Sequence, residues 1–361
     1  MRHASIDVLR TVAIFVMVLV HFGENLSGYT PPLAGFGAPL FALLSGVSYR
    51  LWSEGRRRRG DDEETISRVT LRRGLFIFGF GFAFNLFVWL PEGVFNWDVL
   101  TFVGSAIILL DVVRRMPASV AIFAASLAVL VAPAMRHLVD YHAYWTQGYF
   151  DCDLELSEVL IGYLVCGYFP IFPWISFSIA GFVVAGTIFP TDRFASARDR
   201  APRVLAIGSA LLAISLILRW TRPMLPTLVA NGWLGGWTMF PPTSEYVLGM
   251  LGVSLMLLAF CHRTLDGAPP PRLKAALGVA KTFSRYSLTI YVAHHVVHLW
   301  PLWIWSVATG HEATELWQKA MPIAWSLPLA IAFMLACYAV LRRLGSERTY
   351  GFERAMRWLC D

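Results

Sequence analysis

The sequence predicts an all-α protein, a polytopic transmembrane bundle of about ten helices. Of its 361 residues, 57% are hydrophobic and only 15% are charged, whereas soluble domains have about 25% charged residues. The apolar residues form continuous blocks of about 20 residues, the length that an α-helix needs to cross a bilayer. These blocks do not alternate as the strands of a membrane barrel do. An integral membrane protein with one helical domain is therefore expected.

Ten stretches have this character, and together they predict a single integral-membrane domain over residues 1–361. They are 5–23, 35–52, 70–90, 97–113, 117–134, 171–190, 203–220, 245–262, 279–300 and 323–341. The segment 155–168 is too short to span a bilayer and is followed by Pro170. It is expected to be a re-entrant or interfacial helix that leads into the sixth span.

The basic residues indicate the topology. The net charge is +6, and Lys and Arg gather in alternate loops, near Arg56, Arg114, Arg193, Arg263 and Arg342. Short basic loops stay on the cytoplasmic side, so both termini are predicted to be cytoplasmic. This accounts for the positive charge without nucleic acid, and membrane lipid is the expected surrounding partner.

The first span carries four ionisable groups on one helical face. Asp7, Arg10, His21 and Glu24 fall within about 100° of one another on a helical wheel. Arg10 and His21 differ by roughly 20° around the axis and are about 16 Å apart along it. Ionisable groups at membrane depth are costly and mark function by default. The alternative is that Asp7 and Arg10 anchor the helix at the headgroups while His21 caps its far end.

Polar residues recur in the next two spans. Ser45, with the glycine that follows it, permits close helix approach, and the second span ends in Arg50. Arg72 and Arg73 open the third span, where one is expected to reach the headgroups and the other to bind phosphate. Asn85 lies deep in the apolar run of the same span.

The ninth span is rich in histidine. Tyr291, His294 and His298 share one helical face, and His295 follows His294 directly. A histidine pair at i, i+4 can bind a metal, but the sequence shows no third ligand, so no metal is expected. Histidines that orient a reacting group or line a wet cavity are favoured over a zinc site.

Several motifs resemble a known superfamily. The segment 5–10, SIDVLR, followed by His21 eleven residues after Arg10, resembles the opening of the membrane-bound acyltransferases, whose acyltransferase-3 members share an Arg-x10-His signature. Segments 80–85, 168–174, 241–244, 287–294 and 351–354 resemble the heparan-α-glucosaminide N-acetyltransferase-like group. The motifs extend over nearly the whole chain.

This resemblance implies an acyl-CoA-dependent transferase of the inner (plasma) membrane. Acetyl-CoA, or another acyl-CoA, would donate its acyl group on the cytoplasmic side to an amine or hydroxyl of a saccharide or glycan outside. A homodimer is compatible with the sequence. Long members of the heparan-type group have a histidine in the first outer loop; loop 24–34 has none, so N- and O-acylation both stay open.

The same resemblance suggests roles for the polar residues. His21 would be the general base or a transient acyl carrier, Asp7 and Arg10 would hold each other charged, and Arg10 or an arginine of the third span would meet the donor. The expected donor-binding residues are Arg72, Arg73, Ser45 and Arg50, and the expected acceptor-binding residues are Glu24, Asn85, Tyr291, His294 and His295. The alternatives are an exporter of a small polar solute with the same polar stripe and a non-catalytic scaffold.

Overall fold

The computed structural model describes residues 2–89, 93–146, 148–189, 200–267, 271–344 and 350–361. Within them most of the chain is helical, which confirms the predicted all-α class. A short antiparallel hairpin pairs β1 (Trp145–Thr146) with β2 (Tyr149–Phe150). The helices are α1 (Ala4–Ser27), α2 (Gly37–Arg57), α3 (Glu63–Val88), α4 (Val99–Val113), α5 (Ala118–Leu138), α6 (Leu156–Ile161), α7 (Ile171–Ile188), α8 (Ala201–Thr221), α9 (Ser244–Leu265), α10 (Lys274–Arg285), α11 (Ser287–Ala308), α12 (Ile323–Arg343) and α13 (Phe352–Cys360).

Seven helices of the described ranges are long and apolar enough to cross a membrane: α1, α3, α5, α7, α8 with its extension to Met224, α9 and α12. They confirm a multi-pass membrane protein. The three other predicted spans correspond to helices that are not among these seven long apolar helices. Helix α2 ends in the basic residues Arg56 and Arg57, and α4 has 15 residues, about 22 Å at 1.5 Å per residue.

The predicted span 279–300 is divided between two helices. Helix α10 ends at Arg285, α11 begins at Ser287, and Tyr286 between them has φ −115° and ψ 31°. Tyr286 is buried, and the helix is interrupted at this residue although neither proline nor glycine stands there. The total of ten spans and the cytoplasmic termini stay predictions.

A short helix does occupy the predicted 155–168 segment. Helix α6 continues as a π-helical turn over Gly162–Cys166, and α7 starts directly after Pro170. Its re-entrant or interfacial position stays a prediction. The last residues of the predicted spans 70–90 and 171–190, and the basic loop around Arg193, lie outside the described residues.

The chain packs as two compact units. The first unit comprises Pro39–Arg263, and within it α2 and α7 approach closely at two glycines. A Cβ atom on Gly46 would lie 1.8 Å from the carbonyl oxygen of Ser178, and one on Gly181 would lie 2.0 Å from that of Leu43. Only glycine fits at such distances, which confirms the predicted close packing of helices at this position.

The second unit comprises Arg2–Ala38 together with Thr264–Leu359. Helix α1 is its centre, because α10, α11 and α12 all pack against it. Phe22 of α1 is fully buried and contacts the ring of Phe333 on α12, with ring centroids 5.7 Å apart. Gly28 ends α1 in the left-handed conformation, φ 64°, as glycine commonly does after a helix. This packing brings the polar face of α1 against α11.

Candidate active site

Helices α1 and α11 bring three histidines together in the second unit. One ring nitrogen from each of His21, His294 and His295 lies within 4.8 Å of the other two. Nδ1 of His21 is 2.8 Å from Nε2 of His294. His294 and His295 are buried, whereas His21 is half-buried. The structure therefore joins the predicted catalytic histidine of the first span to two histidines that were predicted to bind the acceptor.

The backbone of α11 determines which ring nitrogen of His21 carries a proton. Nδ1 of His294 lies 3.1 Å from the carbonyl oxygen of Ile290, and a carbonyl only accepts, so this nitrogen carries the proton. Nε2 of a neutral His294 therefore accepts, and Nδ1–H of His21 must donate to it. The lone pair of His21 is then on Nε2, the nitrogen that can take a proton or attack a carbonyl carbon.

All three histidines of α11 are oriented in the same way. Nδ1 of His295 donates to the carbonyl oxygen of Tyr291 at 3.3 Å, and Nδ1 of His298 donates to that of His294 at 2.5 Å. Each ring thus donates to the carbonyl four residues earlier and carries its lone pair on Nε2. The buried ring of Tyr291 lies beside the cluster, 5.7 Å from His294 and 5.5 Å from His295 between centroids.

A second polar chain holds α1 against α11. Asn25 donates its Nδ2–H to Nε2 of His298 at 2.9 Å, and its Oδ1 accepts from Nε1 of Trp317 at 3.2 Å. Asn25 lies one helical turn after His21, so its position on the polar face was visible in the sequence. Trp317 gave no such signal, because it is 292 positions away in the chain.

The other end of the polar face has partners that the sequence did not assign. Asp7 is buried and accepts from Arg2 through both oxygens, at 2.6 and 3.0 Å. Arg10 donates from Nη1 to the hydroxyl of Ser284 at 3.0 Å and to its carbonyl oxygen at 3.3 Å. Arg2 is thus an ion-pair partner of Asp7, a role that was expected for Arg10. Glu24, at the histidine end, is half-buried.

Two of the predicted donor-binding arginines lie over aromatic rings in the first unit. The guanidinium of Arg73 is 4.6 Å from the ring centroid of Trp52. That of Arg50 is 4.8 Å from the centroid of Phe182, and it also forms an ion pair with Glu54. Cation–π contacts of this kind hold guanidinium groups in place, and the carboxylate of Glu54 offsets the charge of Arg50.

The remaining predicted residues of the first unit differ in their surroundings. Arg72 is exposed. The hydroxyl of Ser45 is 3.0 Å from that of Ser178, so it belongs to the α2–α7 contact. Asn85 is fully buried and donates to the carbonyl oxygen of Val94 at 3.2 Å. Among the described residues its Oδ1 has no hydrogen-bond partner.

The fold places the protein in the class of multi-pass helical membrane proteins. In its first helix, the ring of His21 is oriented by a contact with His294. The family model described as heparan-alpha-glucosaminide N-acetyltransferase, catalytic, matches residues 2–220. The chain belongs to this family, which confirms the resemblance in its motifs and assigns it to the membrane acetyltransferases. A search of curated proteins gives no match. The matched region includes His21 and ends before α11, so the place of His294 and His295 beside His21 comes from the structure.

Proposed function

We propose that the protein transfers an acetyl, or other acyl, group from acyl-CoA to an amine or hydroxyl of a saccharide. Membership of the acetyltransferase family supports the reaction class. The observation that carries the residue assignment is the 2.8 Å contact between Nδ1 of His21 and Nε2 of His294. It leaves the lone pair of His21 on Nε2, as a general base requires.

In direct transfer, Nε2 of His21 accepts the proton of the acceptor amine or hydroxyl as that atom bonds to the thioester carbonyl carbon. The carbon–sulfur bond then breaks, and the leaving sulfur takes the proton from His21 to give the CoA thiol. His294 accepts from Nδ1–H throughout, so it stabilises the positive charge that develops on His21. General base catalysis of this kind contributes about 10²–10⁴-fold to a rate.

Transfer through an acyl-histidine uses the same nitrogen. Nε2 of His21 attacks the thioester carbonyl carbon, and the sulfur leaves as thiolate. The acceptor then attacks the acyl carbon, the bond from that carbon to Nε2 breaks, and the acceptor proton passes to the thiolate to give the CoA thiol. Direct transfer and transfer through an acyl-histidine can be distinguished with a radioactive acyl group on CoA. Only the second route leaves this group on the protein when the acceptor is left out. A label that stays on the protein under these conditions and is absent from His21→Ala identifies the second route.

The polar face of α1 suits a reaction between two compartments. Arg10 and His21 are about 16 Å apart along the helix, and a cytoplasmic N-terminus puts the arginine towards the donor side. With that topology His21, Glu24 and Tyr291 are the acceptor end, in the inner (plasma) membrane. Asn85, a buried side chain of the first unit, stays a predicted acceptor-binding residue.

The donor phosphates are proposed to bind either Arg10 or an arginine at the N-terminal end of the third span. Arg72 is exposed, and Arg73 is held over Trp52, so both guanidinium groups are proposed ligands. Arg50 and Ser45 are weaker candidates, because Glu54 neutralises the first and the second contacts Ser178. The transfer itself is proposed to need no metal.

Proteoliposomes test the reaction class. Purified protein with [¹⁴C]acetyl-CoA is expected to label glucosamine, and N-acetylglucosamine reports whether a hydroxyl also accepts. In detergent, acetyl-CoA is expected to raise the melting temperature, because a ligand that binds only the folded state stabilises it. Flux of the sugar without an acyl donor, with no label on either acceptor, would support an exporter instead.

A further inference from the structure

We propose that His21, His294 and His295 form a binding site for a divalent cation of the Zn²⁺ type, and that the bound cation inhibits acyl transfer. The first support is ring orientation. His294 and His295 both donate Nδ1–H to a backbone carbonyl of α11, which puts their lone pairs on Nε2. Metal-binding histidines are oriented by such hydrogen bonds from the other ring nitrogen.

The second support is distance. Zn–N bonds of 2.0–2.1 Å in a tetrahedral site place the ligand nitrogens about 3.3 Å apart. Nδ1 of His21 and Nε2 of His294 are 2.8 Å apart, and one ring nitrogen from each of the three histidines lies within 4.8 Å of the other two. The close pair must therefore open by about 0.5 Å, and the widest pair must close by at most about 1.5 Å, which small ring rotations supply.

The third ligand is the one that the sequence did not reveal. Helix α11 alone offers neighbouring and i, i+4 histidines, and His21 of α1 completes the set from 273 positions away. Imidazole nitrogens suit Zn²⁺, Cu²⁺ and Ni²⁺. Glu24 lies three residues after His21 on the same face of α1. The Asn25–His298 contact holds the two helices together beside the site.

Inhibition follows from the tautomer of His21, and this half of the proposal rests on the proposed function. The nitrogen of His21 that faces His294 is Nδ1. A cation bound there needs the Nδ1 lone pair, so the single ring proton of neutral His21 must lie on Nε2. Nε2 can then neither accept a proton from the acceptor nor attack a thioester.

Metal binding is tested on the full chain without any acyl donor. After EDTA treatment and buffer exchange, Co²⁺ is expected to bind at one ion per chain, with a visible absorption band of tetrahedral type. His295→Ala and His294→Ala are expected to weaken this binding at least tenfold, while His311→Ala, which removes an exposed histidine, is expected to leave it unchanged. Melting curves establish that each variant is folded.

Equal Co²⁺ affinity in wild type and both α11 variants would overturn the site. The inhibitory half is tested separately, by measuring transfer in EDTA and then with Zn²⁺ at the concentration that fills the site. A loss of at least tenfold in rate, absent when EDTA is restored, is expected. Full activity of the zinc-loaded protein would refute the proposed inhibition but not the proposed binding site. A protein that binds Co²⁺ and transfers nothing in EDTA would instead count against the proposed function.

Discussion

The hydrogen bond from His21 to His294 gives the sharpest prediction about the proposed chemistry. His294→Leu removes the acceptor for Nδ1–H of His21, whereas His294→Gln keeps an acceptor in its side-chain carbonyl. When His21 takes up a proton, the bond becomes charge-assisted, and bonds to charged groups contribute about 1.5–3 kcal/mol. At 1.36 kcal/mol per factor of ten, His294→Leu should lower kcat by about 10- to 150-fold.

The effect should fall on kcat and leave KM for acyl-CoA and for the acceptor near the wild-type values, because the bond strengthens only as charge develops on His21. His294→Gln should recover most of the loss. The assay is steady-state acetylation of an amino sugar in EDTA, with melting temperatures measured for every variant. Equal kcat in wild type, His294→Leu and His294→Gln would refute the assignment of His294 as a positioning residue.

Two further predictions concern packing and a thiol. Gly46→Ala places a Cβ atom 1.8 Å from the carbonyl oxygen of Ser178. The substitution should therefore destabilise the protein by more than the usual overpacking cost of about 1–3 kcal/mol, and the melting temperature should fall clearly. Gly55→Ala in the same helix meets no atom within 4 Å and should instead stabilise by about 0.5–1 kcal/mol; similar melting of both variants would contradict the α2–α7 contact. Burial, with neighbouring carboxylates, raises the pKa of the Cys152 thiol, so at a given pH less thiolate is present. A variant with Cys152 as its single cysteine should react with maleimide more slowly than free cysteine does, and Asp153→Asn should speed the reaction; a rate equal to that of free cysteine would contradict it.

Most spanning helices could be located from the sequence because their hydropathy blocks are long and uninterrupted. The predicted span 5–23 lies within α1, one residue short of its start and four short of its end. The predicted span 323–341 starts where α12 starts and ends two residues before it. The span 279–300 was different, since its break at Tyr286 depends on packing of a buried side chain and has no local signal. Helix propensity alone does not reveal such a break.

The sequence also identified part of the candidate site. His21 and Glu24 stand out because charge at membrane depth is rare on one face of one helix. Their partners do not stand out, because contacts over 273 positions depend on how α1 and α11 pack. Arg2 is an ion-pair partner of Asp7, although nothing in the sequence pattern paired these two residues.

The central claim is that Nε2 of His21 is the base or nucleophile of acyl transfer. Its most direct test is the rate of acetyl transfer by His21→Ala, with His311→Ala as a surface-histidine control and both variants shown to be folded. We expect His21→Ala to lose about 10²–10⁴-fold in rate and His311→Ala to retain the wild-type rate. Wild-type turnover by folded His21→Ala would contradict the claim.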